Sequence, residues 1–136
     1  MYEIDFSVNR HSVYSLKYHL VVVTKYRHPC IHEEMFTLLH NKTIELFDNW
    51  GCSLIEMNHN KDHIHLLFSA PPQIQLSKLV NNYKTVTSRA VRKHFDEYLK
   101  TFYWEKTFWS RSYLILSSGG APIDVIKKYI EEQGKE

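Results

Sequence analysis

Residues Cys52 to Ser69 read CSLIEMNHNKDHIHLLFS, and this stretch decides the fold. Cys52–Met57 and His63–Ser69 are short apolar runs joined by the polar turn Asn58-His59-Asn60-Lys61, the pattern of a β-hairpin. Side chains alternate across a strand, so His63 and His65 share one face, roughly 6–7 Å apart along the chain. Ile64, Leu66 and Phe68 take the other face. Two imidazoles at that spacing can grip one metal ion, or they can be two polar residues on a half-wetted sheet. The hairpin alone leaves both readings open.

On either side of the hairpin the period changes. Before it, Met35, Leu38, Leu39, Leu46, Phe47 and Trp50 recur at helical spacing, and Gly51 stands where a helix stop is expected. After Pro71-Pro72, the set Leu76, Leu79, Val80, Tyr83, Val86 and Ala90 predicts a long amphipathic helix. Its opposite face is assigned Lys78, Lys84, Arg89, Arg92 and Lys93. Further out, Ser12–Lys25 (SVYSLKYHLVVVTK) reads as a strand covered on both faces at Leu20–Val23. Ser112–Ser118 (SYLILSS) reads as a fourth strand. Gly119-Gly120 then breaks the chain, and Pro122 suits the first turn of a last helix over about 122–133. Thr101–Ser110 is aromatic and irregular and takes no element from its pattern.

The order β-α-β-β-α-β plus one helix predicts an α+β, ferredoxin-like sandwich. An antiparallel sheet would carry two helices on one face and leave the other face open. The whole chain, 1–136, is expected to be one domain of ordinary size. With 43% hydrophobic and 24% charged residues the composition is that of a globular protein, and a net charge of +2 permits nucleic-acid binding without arguing for it. Cys30 and Cys52 fall in no metal or redox spacing, which suits a reducing cytoplasm. No apolar run reaches the roughly 20 residues that span a bilayer, so neither a membrane partner nor a signal peptide is expected.

The last helix supplies chemistry that the hairpin lacks. In Ile126–Gln133 (IKKYIEEQ), Tyr129 and Gln133 are four apart and share a helical face. The Gln133 carbonyl oxygen can serve as a third, harder ligand beside His63 and His65. Such a mixed site suits Mg²⁺, or Mn²⁺, better than a thiolate site would. Tyr129 places a phenol nearby, which could attack a polarised phosphate and form a phosphotyrosine. On the residues alone, a packing role for Tyr129 and a solvent-facing Gln133 are the commoner readings.

Four stretches together carry a resemblance: DHIHLL (Asp62–Leu67), YHLVVVTKYR (Tyr18–Arg27), FWSRSY (Phe108–Tyr113) and VIKKYIEEQ (Val125–Gln133). They resemble the single-tyrosine HUH transposases of small, hairpin-ended insertion sequences, the superfamily that includes the REP-associated enzymes. The resemblance runs from about Tyr14 to Gln133. It implies a metal-dependent single-strand DNA endonuclease and strand transferase, with His63, His65 and Gln133 holding a divalent ion. It implies Tyr129 as the nucleophile, leaving a 5′-phosphotyrosine and a free 3′-hydroxyl. It also implies a homodimer, with active sites that one protomer's last helix can complete for the other, and DNA with hairpin ends as partner. Arg111 and Lys61 stand where the family often has proline, which touches loop geometry rather than the ligands.

Around that centre, Lys25, Arg27, Lys84, Arg89 and Arg92 are candidates for phosphate contacts. Asp62 is a candidate to orient a histidine from behind, or simply to close the hairpin. Tyr103, Trp104 and Trp109 can stack bases or pack. Glu56, His59 and His19 are spare candidates for ligand or base, His19 sharing its face with Val21 and Val23. Three rival readings use the same chain: a domesticated HUH nuclease acting on genomic repeat hairpins, a non-catalytic ferredoxin-like nucleic-acid-binding module, and a metallohydrolase with water as nucleophile.

Overall fold

The computed structural model describes Ser7, Val8, residues 13–118 and Ile123–Glu132. Two short strands, β1 (Ser7–Val8) and β2 (Val13–Tyr14), pair as a small ribbon. The main sheet holds β3 (Lys17–Thr24), β4 (Ser53–His59), β5 (His63–Ser69) and β6 (Trp109–Ser117). Its strand order is β4-β5-β3-β6, antiparallel throughout. With helices α1 (Glu33–Asn49) and α2 (Leu76–Leu99) in the two crossovers, this is the expected ferredoxin-like plan.

Alternation along the strands sorts the sheet into two faces. Leu20 and Val22 of β3 point into the main core with Ile64, Leu66 and Phe68 of β5, all completely buried. Helices α1 and α2 cover that face. Phe47 of α1 packs edge-on against Phe68, and its ring lies 5.6 Å from that of Tyr83 in α2. The Tyr83 hydroxyl, buried with them, bonds the Thr43 hydroxyl at 2.9 Å. The imidazole of His32 accepts from Met35 N and starts α1, and Gly51, at φ 74°, takes the left-handed turn that ends it.

The other face is not left open along its length. Helix α3 (Ile123–Glu132) lies across it, and Ile126 is buried with Val21 and Val23 against Leu114, Leu116, Tyr129 and Ile130. Three further expectations change. The first long strand divides at Ser15-Leu16, because Val13–Tyr14 pairs with β1 while Lys17 begins the main sheet. The fourth strand begins at Trp109, since a register shift between Val22 and Thr24 brings Thr24 opposite Trp109. Arg92 is not on a solvated face of α2. It is buried, with one guanidinium nitrogen on Asp96 at 2.9 Å, near the break in helical dihedrals at Phe95. Gly119, Gly120, Pro122 and Gln133 lie outside the described residues.

Candidate active site

The site grows from the hairpin's return strand. Asp62 closes the turn: its carbonyl accepts the Thr24 N–H at 2.9 Å, fastening the end of β3 to the start of β5. Its carboxylate then does two further things. Oδ1 accepts from His63 Nδ1 at 2.8 Å, and Oδ2 accepts from Arg27 Nε at 3.0 Å. Burial alone would raise the Asp62 pKa, but the hydrogen bonds from His63 and Arg27 outweigh it and hold the carboxyl below its usual range. With Nδ1–H committed to Asp62, His63 keeps its Nε2 lone pair for a ligand.

His65 lies opposite Val21 and His63 opposite Val23, so both histidines face the side on which α3 lies. His19, two residues before Val21, shares that face. Its Nδ1 is 2.8 Å from His65 Nε2, and the two rings stack at 5.0 Å between centroids. Burial, and then the neighbouring His19, push the His65 pKa down, so His65 is neutral at physiological pH, as a ligating imidazole must be. One lone pair cannot serve two partners. Where His65 Nε2–H donates to His19, the Nδ1 lone pair is open to a ligand; where Nε2 accepts from His19, Nδ1 carries the proton and only Nε2 can ligate, once His19 lets go.

These donors fit a divalent cation: two half-buried imidazoles on one face, one oriented by a carboxylate and one kept neutral. Among the described residues no group of three or more His, Cys, Asp or Glu side chains is arranged to hold a metal. Within the described residues a third ligand would be of another type. Gln133 has the right chemistry for it but lies outside the described residues.

Tyr129 sits on α3, half-buried, and its hydroxyl donates to Ser112 Oγ at 3.2 Å. Ser112 belongs to β6, while the histidines belong to β5, with β3 between them. The strand that carries the phenol's hydrogen-bond partner therefore lies about two strand spacings, ~10 Å, from the histidine strand. Tyrosine and histidines share a sheet face. Arg27 links the two: besides Asp62 it donates from Nη1 to the carbonyl of Ile130 on α3. To do so it takes φ 52°, directly after Tyr26 at φ 57°, two consecutive left-handed residues in the 3-10 turn Lys25–Arg27.

The chain matches the family described as "Transposase IS200 like" over residues 12–133. The chain belongs to that family. Among curated relatives, the ISDra2 transposase TnpA of Deinococcus radiodurans is 32% identical over 130 residues, covering 96% of this chain and 92% of that one. The transposase for insertion sequence element IS200 of Salmonella typhimurium is 28% identical over 126 residues, covering 93% and 82%. A crystal structure of a protein from Deinococcus radiodurans superposes with a TM-score of 0.84 at 29% identity, covering 93% of this chain and 97% of that one. A REP-associated tyrosine transposase, solved bound to a REP hairpin, shares the fold with a TM-score of 0.59 at 11% identity, covering 90% and 67%. The single-tyrosine transposase resemblance read from the sequence is thus correct.

The remaining candidates are distributed unevenly. Lys84 donates to the Arg111 carbonyl at 2.9 Å, and Arg89 is exposed. Lys25 lies beside the Tyr26 ring at 5.5 Å. His59 bonds Glu33, and Glu56 accepts from Asn58, both on the surface. Tyr103 and Trp109 are buried, whereas Trp104 is fully exposed. His19 is the contact that sequence reasoning undervalued. Its alternation with Val21 and Val23 was visible, but its neighbour on β5 follows only from the register.

Proposed function

We propose that this transposase binds hairpin-ended single-stranded DNA and cleaves and rejoins it through a 5′-phosphotyrosine on Tyr129, with His63, His65 and Gln133 holding a divalent metal, Mg²⁺ or Mn²⁺. The observation that carries this reading is the His63–His65 pair, with His63 oriented by Asp62, lying on the same sheet face as the tyrosine helix. A divalent cation there would polarise the scissile phosphate and offset its charge in the transition state. The residues do the rest. Asp62 fixes the ring of His63, and the Tyr129 oxygen attacks phosphorus as its phenol proton leaves. A tyrosyl O–P bond forms, the P–O3′ bond breaks, and the departing 3′-oxygen takes up a proton. The bond energy stays in the phosphotyrosine, so the 3′-hydroxyl of another strand can reverse the step and rejoin DNA without ATP.

The Tyr129 hydroxyl is bonded to Ser112, two strands away from the histidines, and that bond has to break before the phenol can attack. Either α3 shifts across β3, or the helix of a second copy in a homodimer supplies the tyrosine. The test is a denaturing gel of the protein mixed with Mg²⁺ and labelled single strands that carry the hairpins flanking its gene. A covalent adduct is expected, lost in Tyr129→Phe and suppressed in His63→Ala. Cleavage without an adduct would instead make water the nucleophile, and binding without cleavage would support a non-catalytic module. Mixing Tyr129→Phe with His63→Ala protein separates the two assemblies: restored adduct means that sites are completed between protomers.

A further inference from the structure

At the end of the sheet that carries Asp62 and His63, a cavity of about 290 Å³ opens between the Lys25–Arg27 turn and the loop from α2 into β6. Its walls include Tyr26, His28, Phe102, Tyr103 and Trp104, with Lys25 at the edge. The floor is rigid. Tyr103 donates its hydroxyl to the Lys25 carbonyl at 2.7 Å, and His28 packs against Phe102 and Tyr103 at 5.9 and 5.1 Å between centroids. The rim is open: Tyr26, edge-on to His28 at 6.0 Å, is 55% exposed, and Trp104 is as exposed as an indole can be, at 103%. A full indole in water contributes nothing to the fold, and burying it elsewhere would have been favourable.

The backbone at this rim is also unusual. Tyr26 and Arg27 both adopt left-handed dihedrals without being glycine, a conformation that non-glycine side chains disfavour. The turn sends neighbouring side chains to two places. Arg27 goes inward to Asp62 and to α3, and Tyr26 goes outward to the cavity mouth. The strained turn thus joins the cavity to the candidate active site in one step of chain.

From this we infer that the Tyr26–Trp104 cavity is a stacking pocket for an unpaired nucleobase of the DNA strand that passes the active site, with Lys25 beside it for a phosphate. This deepens the proposed function and rests on it. An aromatic face accepts any base, because every base has a π-face, and a nearby cation supplies the charge that the backbone requires. Such a pocket holds the strand in register relative to His63 and Tyr129 without reading sequence.

The test uses the full chain with a fluorescent oligothymidylate and a strand of equal length and charge whose bases are replaced by abasic sites. Anisotropy gives affinity, and tryptophan emission reports stacking. Oligothymidylate is expected to quench tryptophan emission and to bind roughly 5- to 100-fold more tightly than the abasic strand. Trp104→Ala, a substitution at a fully exposed site, should remove most of both differences while leaving the circular dichroism spectrum unchanged. Tyr26→Asn should weaken binding in the same direction, since asparagine tolerates the left-handed turn. Equal affinity of Trp104→Ala and the parent for oligothymidylate overturns the pocket, as does failure of the parent to prefer bases over abasic sites. The adduct assay is read separately with Tyr129→Phe. An adduct with no base preference sinks the pocket alone, and base-dependent binding with no adduct sinks the transferase reading alone.

Discussion

Asp62 accepts hydrogen bonds that differ in consequence: the Thr24 N–H and hydroxyl on its carbonyl, and His63 and Arg27 on its two carboxylate oxygens. Asp62→Asn keeps those on the carbonyl and disrupts the other two, because an amide has one acceptor oxygen and no charge. Isothermal titration with Mn²⁺ is expected to show affinity reduced roughly 10- to 100-fold, as for other residues that orient a ligating histidine. Unfolding stability should fall by only about 1–3 kcal/mol. An unchanged Mn²⁺ affinity would mean that Asp62 serves the turn alone. The carboxyl's lowered pKa sets the pH range of its contribution. That stabilisation is present above about pH 4, the value in an unfolded chain, and is lost as pH falls through the depressed folded value. At this scale the sequence was informative where neighbours in space are neighbours in the chain, as with Asp62 and His63. It was silent on His19 and His65, because their contact depends on the strand register that sets Val21 opposite His65.

Helix α3 has ten residues, too few to persist in water on its own. What holds it is a small apolar contact through Ile126, Tyr129 and Ile130, the Tyr129–Ser112 hydrogen bond, and the Arg27 contact to Ile130. So light a set of contacts suits the proposed role of α3 in bringing a nucleophile to its target. Arg27→Ala is expected to speed amide hydrogen exchange across Ile123–Glu132 by about tenfold, an opening free-energy change near 1.4 kcal/mol, while α1 and α2 stay protected. Uniformly faster exchange in all three helices would show instead that Arg27 supports the whole fold. Helix spacing and strand alternation made α1, α2 and the hairpin legible, since their buried sets repeat at 3.6 and 2 residues. Thr101–Phe108 escaped because its burial is not periodic. Tyr103 and Phe108 are core residues supplied by a loop. Arg92 was misassigned for a related reason: its stem packs at the border of the apolar stripe while its guanidinium finds Asp96.

For the whole molecule, the core contains acids that are kept protonated. Burial pushes the Cys30 and Cys52 thiols up to about 11, and it raises the Tyr83 and Tyr103 phenols as well. In an unfolded chain thiols ionise near ~8.5 and phenols near ~10. Each folded value is raised, so the stability linked to these groups is complete below the unfolded pKa and is lost as pH rises towards the folded one. Between about pH 8.5 and 11 the unfolded chain releases protons that the native core retains, and unfolding becomes easier with every step in pH. Urea midpoints measured in reducing buffer should be flat from pH 7 to 8 and should then fall, with a loss on the order of 5 kcal/mol by pH 10.5 from the two thiols. The two classes of acid can be separated. In Cys30→Ala/Cys52→Ala protein the absolute stability is lower because packing is lost, but the decline should begin near pH 10, where only the phenols remain. A double variant whose stability falls from pH 8.5 with the parent's slope would assign the alkaline loss to groups other than the buried thiols.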